Sequence, residues 1–493
     1  MFIKFKILNK KSINKNMYKL SYYNFYIPVK EKEVYLIYNS YNNSLFEVPF
    51  DIGKLLEDKS RSKEINQDLF EYSFFENLIR EGFVVDHKKD QREIVLDIKR
   101  KMNDNFKKNT RSISLTLLLT NNCNLGCRYC FEGSNKPNEY MKPEIFQNVL
   151  NYVSEKDVKV VYITWYGGEP LMYPHLIEEY GNQLMKICDS KNIDFESSII
   201  TNGVYLTPEN VRILESVKVK RIQVTLDGNK NTHDKRRPFI HSNKSTYDII
   251  LNNLERINTN IPISIRINVD KEVYPFINDL FEDLINKKIW PHNKLISLYM
   301  GYTAGNDEYQ DQNLFSSEEF SKAITEFRNL KLNLYNKWAS KNNVKLATYK
   351  FKYPSIEHNF CKTLNGINYL VIDSAGNISK CWEHINDERT IVGNIKNGIE
   401  NEINGIRYQN IMNQYHVPDK CTLCKVYPIC ESIFCLNANN ENQEKRCSYW
   451  KHELENCFRN QYIMSIDHPE LIENVNSAED RINSKFFASG YSI

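Results

Sequence analysis

Between residues 111 and 305 the chain alternates short apolar runs with longer segments whose apolar residues recur at helical spacing. Short apolar runs of this kind are typical of buried β-strands, and the helical spacing is typical of amphipathic helices. The apolar runs are Ile113–Leu119, Val158–Trp165, Ser197–Thr201, Arg221–Leu226, Ile263–Val269 and Leu295–Tyr302. Six consecutive βα units predict an α/β fold whose parallel sheet curls into an open (βα)6 barrel. In such sheets the active site lies at the carboxyl ends of the strands.

Residues 1–90 predict a separate α/β module. Two strand-like runs, Glu33–Tyr38 and Leu45–Pro49, flank a turn-like segment, and an amphipathic segment from Leu69 to Ile79 follows them. This combination is typical of a winged-helix-like unit, and the alternative is an N-terminal cap that only covers the barrel. A charged helical stretch at 91–110 is expected to link this module to the barrel.

The barrel domain is expected to span 111–340, and its last element is a long helix predicted over 316–340. Past residue 360 the chain becomes rich in cysteine, and the runs Tyr369–Asp373 and Ile378–Cys381 predict a β-hairpin. We expect a cysteine-rich domain over 341–465 and a C-terminal tail over 466–493.

Composition excludes several classes of protein. A net charge of +3 with 26% charged residues gives no strong attraction to nucleic acid. No apolar run approaches the ~20 residues of a transmembrane helix, and the N-terminus lacks the apolar core of a signal peptide. We therefore expect a cytoplasmic protein without a membrane or nucleic-acid partner. Twelve cysteines in such a protein indicate metal ligation rather than structural disulfides.

Three cysteines carry the strongest chemical signal. Cys123, Cys127 and Cys130 follow the first predicted strand with the spacing C-x3-C-x2-C. Three thiolates on one short loop can ligate three irons of a [4Fe–4S] cube and leave the fourth iron without a protein ligand. The alternatives are a zinc site or buried thiols, but zinc usually takes four ligands and commonly uses paired C-x2-C units.

A glycine pair follows the second predicted strand, in the sequence Gly167-Gly168-Glu169-Pro170. Small residues let the backbone approach a ligand closely. A row of carbonyls beside a carboxylate suits an ammonium group. On its own this motif would be an ordinary turn.

The two motifs together resemble the signature of the radical S-adenosylmethionine (radical SAM) enzymes. The resemblance implies a partial TIM barrel whose cluster is held by Cys123, Cys127 and Cys130. It further implies that SAM binds the open iron through its amino and carboxylate groups. An electron from the cluster then cleaves SAM, and the deoxyadenosyl radical abstracts a hydrogen from the substrate.

The resemblance also assigns residues to the SAM site. Tyr129 lies where the family has an aromatic residue against the adenine, although a lone tyrosine is more often core packing. The turns at 201–203 and 225–228, ordinary in themselves, would line the ribose and carboxylate side of SAM. The SAM-binding positions implied in this way are Tyr129, Gly167, Gly168, Glu169, Thr201, Asn202, Thr225, Asp227, Arg237 and Arg266.

Seven further cysteines lie within the C-terminal region, which is too many for chance packing; they are Cys361, Cys381, Cys421, Cys424, Cys430, Cys435 and Cys447. One or two structural zinc sites are the alternative reading, and the pair Cys421/Cys424 would permit one. Downstream of a radical SAM core, the arrangement resembles the SPASM domain, which carries auxiliary [4Fe–4S] clusters. Cys188, on the apolar face of a predicted helix, is expected to be a buried thiol.

The SPASM resemblance implies two auxiliary clusters, and thus three [4Fe–4S] clusters in all. One would take Cys421, Cys424, Cys430 and Cys447; the other would take Cys361, Cys381 and Cys435 and keep an open iron. The spacing Cys430-x4-Cys435 departs from the usual x3 of the family, and Cys457 is an alternative to Cys447 as the last ligand. His384 or a water could also fill the open position.

The resemblance implies a peptide-modifying oxidoreductase that receives electrons from a flavodoxin- or ferredoxin-type donor. The favoured function is a maturase that crosslinks a ribosomally made precursor peptide, forming a Cys thioether, with the N-terminal module gripping the leader. The alternatives are an anaerobic sulfatase-maturing enzyme, a carbon–carbon crosslinking or epimerising enzyme, and a non-catalytic metal-binding protein. Sulfatase-maturing enzymes have an Asp base after the cysteine that corresponds to Cys381, and this chain has Trp382 there.

Overall fold

The structure is a computed structural model, which describes residues 17–62, 64–108, 111–130, 132, 139–303, 313–350, 352–356, 360–383, 385, 391–397, 417–430, 447–469 and 472–473. Cys435 and His384, which the sequence assigns to a cluster, lie outside these residues. The described strands are β1 (Tyr18–Leu20), β2 (Asn24–Val29), β3 (Val34–Asn39), β4 (Ser44–Pro49), β5 (Val84–Asp86), β6 (Ser112–Thr120), β7 (Val160–Gly167), β8 (Asp194–Thr201), β9 (Val219–Thr225), β10 (Ile263–Val269), β11 (Ile296–Tyr302), β12 (Tyr349–Lys350), β13 (Tyr369–Ile372), β14 (Asn377–Ser379), β15 (Ile391–Asn394) and β16 (Ile472–Glu473). The described α-helices are α1 (Phe50–Lys59), α2 (Tyr72–Arg80), α3 (Gln91–Lys107), α4 (Pro143–Glu155), α5 (Pro174–Ser190), α6 (Pro208–Ser216), α7 (Lys230–Arg236), α8 (Thr246–Arg256), α9 (Ile277–Asn286), α10 (Ser317–Lys341), α11 (Lys362–Asn365), α12 (Asp419–Thr422) and α13 (Tyr449–Asp467).

The chain divides into two compact units, each assembled from separate stretches of sequence. Unit 1 takes its described residues from 1–103, 317–359 and 417–493, and unit 2 takes them from 104–316 and 360–416. The N-terminal residues 17–103 therefore belong to the same unit as the described residues between 417 and 473.

Unit 2 is built on a nine-stranded sheet with the order β11-β10-β9-β8-β7-β6-β13-β14-β15. Strands β6 to β11 pair in parallel, and β13 joins beside β6 as a further parallel strand. The last two strands, β14 and β15, add antiparallel. The α/β class and the parallel sheet expected from the sequence are confirmed.

The two faces of the parallel strands differ in chemistry because successive side chains of a strand point to opposite sides. Trp165 of β7 is fully buried, whereas Tyr162 and Tyr166 on the opposite face of the same strand are exposed and half-buried. On that face the hydroxyls of Thr164 and Ser198 lie 3.2 Å apart across β7 and β8. The inner face of the sheet is therefore polar, which suits a lumen that receives a substrate.

Local sequence signals set several helix starts in unit 2. Proline occupies the first position of α4, α5 and α6, where its missing N–H is not needed. The side chain of Thr207 caps α6 by accepting from the Asn210 amide, and Ser245 caps α8 in the same way. Cys188 of α5 is fully buried, as expected.

Unit 1 contains the three-stranded antiparallel sheet β2-β3-β4. One face of this sheet, with Tyr35 and Ile37 of β3, packs on Leu56 of α1 and Phe75 of α2. This core explains why an amphipathic segment follows the strands in the sequence.

The other face of the same sheet packs against the C-terminal part of the chain. Leu36 and Tyr38 of β3 share a core with Trp450 and Phe458 of α13, and the rings of Tyr38 and Phe458 lie 4.8 Å apart. Both faces of the N-terminal sheet are thus covered within unit 1. No described helix is long and apolar enough to cross a membrane.

Candidate functional site

The loop with the first three cysteines leaves the carboxyl end of β6. The side chains of Cys123, Cys127 and Cys130 are all half-buried. The loop backbone pairs with the chain that follows α7: the amide of Gly126 donates to the carbonyl of Pro238 at 2.9 Å, and the amide of Ile240 donates to that of Asn124 at 3.0 Å. Backbone pairing therefore fixes the loop.

The glycine-rich turn after β7 lies directly against the chain that enters the cysteine loop. The amide of Gly168 donates to the carbonyl of Thr120 at 2.9 Å, and the amide of Glu169 donates to that of Asn122 at 2.8 Å. A Cβ at Gly168 would stand 2.1 Å from the Asn122 oxygen, and one at Gly167, where φ is +117°, would stand 2.3 Å from the Thr120 oxygen. Only glycine allows this approach.

The carboxylate of Glu169 is fully buried and already hydrogen-bonded. It accepts from the Leu171 amide at 2.9 Å, the Thr201 hydroxyl at 2.7 Å and the Asn202 amide at 2.7 Å. Burial raises its pKa to about 6, and these donors oppose that rise. Glu169 therefore ties the end of β7 to the end of β8, and the carbonyls of the turn remain as acceptors for an ammonium group.

Asn202 connects the end of β8 to the cysteine loop. Its side-chain amide donates to Asn124 Oδ1 at 2.8 Å and lies 3.9 Å from the sulfur of Cys123. Its own Oδ1 accepts from the Val204 amide at 2.9 Å. The side chain that the sequence assigned to SAM thus also orients the first cysteine.

A buried network surrounds the phenol of Tyr129. The phenol donates to the carboxylate of Asp227 and accepts from Arg237 at 2.6 Å and Asn268 at 3.0 Å. Burial raises the pKa of Tyr129 well above its ordinary value, so the phenol keeps its proton. The guanidinium of Arg236 lies over the ring, 4.9 Å from its centre. The hydrogen bonds to its hydroxyl thereby fix the ring of Tyr129, which the sequence assigned to the adenine of SAM.

Two further assigned residues lie on neighbouring strands, β9 and β10. Thr225 is buried at the last position of β9. Arg266 of β10 donates to Asn268 Oδ1 at 2.7 Å. Arg266 also interacts electrostatically with the Tyr166 phenol, as does Cys130, which brings both residues to the mouth of the barrel. The structure thus brings nine of the ten assigned SAM positions and the three cysteines to the carboxyl end of the parallel sheet. The tenth, Arg266, lies in the middle of β10, and its side chain reaches Asn268 near that end.

The donor set fits a cluster better than a single metal ion. No three His, Cys, Asp or Glu side chains among the described residues converge closely enough to bind one ion. A [4Fe–4S] cube makes a different demand, because each thiolate ligates its own iron. The half-buried thiols, the carbonyls at the glycine turn and the unpartnered side-chain amide of Asn124 fit a cluster with a polar cofactor beside it.

These features define a radical SAM site. Residues 117–274 match the family model described as Radical SAM superfamily, so this part of the chain carries a radical SAM domain. Among relatives, the chain is 25% identical to radical SAM cyclopropyl synthase TigE of Paramaledivibacter caminithermalis over 41% of this chain and 48% of that protein. It is 27% identical to sporulation killing factor maturation protein SkfB of Bacillus subtilis over 35% of this chain and 40% of that one. These matches span about half of the relatives' own length or less.

A longer match is found to a sulfatase-maturating enzyme. The chain is 24% identical to the cysteine-type anaerobic sulfatase-maturating enzyme of Clostridium novyi over 65% of this chain and 87% of that protein. The solved structure of tagged anSMEcpe with bound AdoMet superposes with a TM-score of 0.53 at 17% identity, covering 73% of this chain and 100% of that one. This structural likeness supports the fold.

The C-terminal cysteines of unit 1 lie near one another. Burial raises the pKa of Cys421, and Cys447 and Cys424 raise it further, so the three thiols are within electrostatic reach. Cys457 lies elsewhere: its sulfur accepts from the Gln461 amide at 3.0 Å, and the charges that affect its pKa belong to Lys352, Arg328 and Glu453.

In unit 2, Cys361 and Cys381 lie at the two ends of a compact turn. The sulfur of Cys361 caps α11 by accepting from the Leu364 amide at 3.5 Å. Lys380 is fully buried and donates to the carbonyls of Gly366 at 2.6 Å and Tyr369 at 2.8 Å. Burial lowers the pKa of Lys380 to about 7, and the nearby Cys361 opposes this.

Sequence reasoning missed Asn268, Tyr166 and Lys380. Asn268 and Tyr166 are polar residues near the ends of otherwise apolar strands, and this position could have singled them out. Nothing in the sequence indicated that Lys380 is buried, since an isolated lysine beside a cysteine is usually exposed.

Proposed function

We propose that this protein is a cytoplasmic peptide maturase that abstracts a hydrogen from a ribosomally made precursor peptide and forms a side-chain crosslink, a Cys thioether. The proposal includes three [4Fe–4S] clusters, with the auxiliary pair on the C-terminal cysteines, and a flavodoxin- or ferredoxin-type electron donor. The observation that carries it is the combination of the cysteine site at the barrel mouth with an N-terminal sheet whose β4 edge pairs with no described strand and can accept a peptide strand.

The chain's own residues prepare the reaction in three ways. Cys123, Cys127 and Cys130 would hold the cluster, and the carbonyls at 167–168 would hold the amino group of SAM. SAM and the cluster together supply the hydrogen-abstracting radical when they are bound. The buried network around Tyr129 fixes the loop, and polar side chains on the inner face of the sheet, at the carboxyl ends of the strands, would give the peptide hydrogen-bonding partners.

The two edges of the N-terminal sheet are not equivalent. On β2 the carbonyl of Asn24 accepts from Lys425 at 3.2 Å and that of Pro28 accepts from Arg459 at 3.0 Å. Pro28 also lacks an N–H, so this edge is protected against strand pairing. On β4 no described strand pairs with the outer side.

Since both faces of the sheet are covered, strand addition along β4 is the binding mode that remains for an extended leader. The backbone would supply the affinity, and the side chains beside β4 would supply the selectivity.

Trp382 argues against the sulfatase-maturing alternative. Its ring lies 6.2 Å from that of Tyr166, centre to centre, so an aromatic side chain stands where those enzymes need a carboxylate base. Formylglycine formation at this site would have no base at that position.

The function is tested with the precursor peptide encoded beside the gene. Anaerobically reconstituted enzyme, SAM and a reductant should yield deoxyadenosine and a peptide lighter by two hydrogen atoms for each thioether. One hydrogen leaves the attacked carbon, one proton leaves the thiol, and one electron returns to the enzyme. A Cys→Ser peptide should not lose this mass. Mass loss that persists in that peptide would indicate carbon–carbon crosslinking, and an unchanged mass with solvent deuterium incorporated would indicate epimerisation.

The leader-binding mode has its own test. Leader binding should slow hydrogen exchange at residues 44–48 of β4 and leave residues 24–29 of β2 unchanged. Leader peptides with single N-methylated residues should lose affinity at alternate positions only, because every second amide of an added strand faces its partner. Uniform effects along the leader would contradict strand addition.

A further inference from the structure

An aromatic pair stands at the mouth of the barrel. Tyr166 occupies the inner face of β7 one residue before Gly167, and its ring contacts that of Trp382 at 6.2 Å between centres. Both rings rest on a small buried cluster of Leu118, Val371 and Ile385. The supporting residues come from β6, from β13 and from the chain after β14, so the pair has a rigid base.

The pair lies beside the first cysteine loop. The phenol of Tyr166 interacts electrostatically with Cys130, Glu132, Arg266 and Glu383. Its ring is half-buried, and its hydroxyl makes no hydrogen bond with any residue that the structure describes. A phenol in this position is a donor ready for a ligand.

We propose that Tyr166 and Trp382 form the wall that receives the attacked residue of the precursor peptide, which has an apolar side chain. Trp382 packs on that side chain, and the Tyr166 hydroxyl donates to a backbone carbonyl of the peptide. Two carboxylates, those of Glu132 and Glu383, and one guanidinium, that of Arg266, lie near Tyr166. Their summed charge is negative, which disfavours an acidic residue at the same place. This inference rests on the proposed function, because it names the part of the site that selects the substrate residue.

The wall differs in role from the N-terminal sheet. Strand addition at β4 would hold the leader, whereas the wall would hold the residue that reacts. Loss of the wall should therefore change how often SAM cleavage ends in a crosslink, rather than how tightly the leader binds. The ratio of crosslinked peptide to deoxyadenosine measures this step directly.

The experiment compares Trp382→Ala, Trp382→Phe and Tyr166→Phe with the wild type on the same precursor peptide. Loss of the aromatic face should lower the crosslink-to-deoxyadenosine ratio about tenfold or more, and loss of the hydroxyl should lower it about fivefold. Trp382→Phe should keep most of the wild-type ratio, because phenylalanine retains an aromatic face. If Trp382→Ala acted only by impairing folding, the aromatic replacement would have no such specific effect on the ratio. The matched control is Tyr162→Phe, on the same face of β7 at the opposite end of the strand, and it should keep the wild-type ratio.

A second arm replaces the attacked residue of the peptide. An acidic residue there should lower the ratio as strongly as Trp382→Ala does, and another apolar residue of similar size should retain it. If the wild type crosslinks the peptide while Tyr166→Phe and both Trp382 variants keep its ratio, the wall assignment is wrong and the proposed function stands. If the wild type cleaves SAM but never changes the peptide, the proposed function fails and takes the inference with it.

Discussion

Gly168→Ala is the sharpest single test of how the glycine turn builds the site. The added Cβ would stand 2.1 Å from the carbonyl oxygen of Asn122, closer than the 3.0 Å that real Cβ contacts respect. The oxygen belongs to the backbone, so no flexible side chain can move aside. The turn and the entrance to the cysteine loop must therefore separate by about 0.9 Å, the difference between the two distances.

The loss of stability in Gly168→Ala can be calculated from the hydrogen bonds that this separation breaks. The hydrogen bonds Gly168–Thr120 at 2.9 Å and Glu169–Asn122 at 2.8 Å join the same two segments. Losing them costs about 1 kcal/mol each, and overpacking adds about 1–3 kcal/mol. The free energy of unfolding should fall by about 3–5 kcal/mol. A displacement of about 1 Å between SAM-binding and cluster-binding groups should slow SAM cleavage about 100-fold.

The assay measures deoxyadenosine formation by reduced enzyme without peptide, together with urea unfolding of the same preparations. Gly126→Ala is the matched control, because Gly126 lies inside the cysteine loop and yet, among the described residues, its Cβ would meet only Ile240 at 3.7 Å. The Gly126 amide also keeps its bond to Pro238 in that variant. Gly126→Ala should stay within about 0.5 kcal/mol of wild-type stability and retain SAM cleavage.

A Gly168→Ala enzyme with wild-type turnover would refute the view that this close approach sets the geometry of the site. Equal damage from Gly126→Ala would also refute it, because glycine would then be needed throughout the loop for another reason.

Three further outcomes are expected. Alanine at all three cysteines of 123–130 should abolish deoxyadenosine formation while the iron bound by the C-terminal cysteines remains; wild-type deoxyadenosine formation would exclude the radical SAM site. Lys380→Met should lower the free energy of unfolding by about 2 kcal/mol because two buried carbonyls lose their donor, whereas Met at the exposed Lys420 should change it little. Burial holds the pKa of His233 well below the ordinary value of 6.5. Below pH 6.5 this histidine is therefore protonated in the unfolded chain but still neutral in the folded chain. The wild type should therefore lose up to about 1.4 kcal/mol of stability per pH unit on acidification; His233→Asn should flatten this slope in urea unfolding, and a variant at the exposed His241 should keep it.

Local pattern was sufficient for most of the barrel. The prediction for Ile263–Val269 matches β10 residue for residue, and the long helix predicted over 316–340 is α10 at Ser317–Lys341. These segments have strong apolar periodicity and clear ends. β2 and α1 were not predicted, because Pro28 and Asn24 weaken the strand signal and α1 begins directly after β4 without a separating loop.

Long-range pairing was beyond the sequence. The hairpin Tyr369–Cys381 was expected, but the parallel pairing of its first strand, β13, with β6 was not. Parallel strands are not joined by a short turn that could be recognised in the sequence. In the site, the cysteine loop and the glycine turn follow neighbouring strands, β6 and β7. The hydrogen-bond partners of Asp227 and Glu169 could not be predicted, because they are set by how neighbouring strands pack. The bond between Tyr129 and Asp227, for example, joins residues 98 positions apart.

The shared core of unit 1 has a consequence for the order in which the protein folds. Its N-terminal strands leave the ribosome first, yet Leu36 and Tyr38 pack on Trp450 and Phe458, and Arg459 bonds to Pro28 across 431 positions. Contacts this distant in sequence form late and slowly. The parallel sheet of unit 2 can be completed during synthesis. The sheet β2-β3-β4 keeps one apolar face exposed until α13 has been synthesised. A chaperone would bind the nascent chain at this exposed apolar face. Truncation that removes α13 would leave the face exposed and cause aggregation.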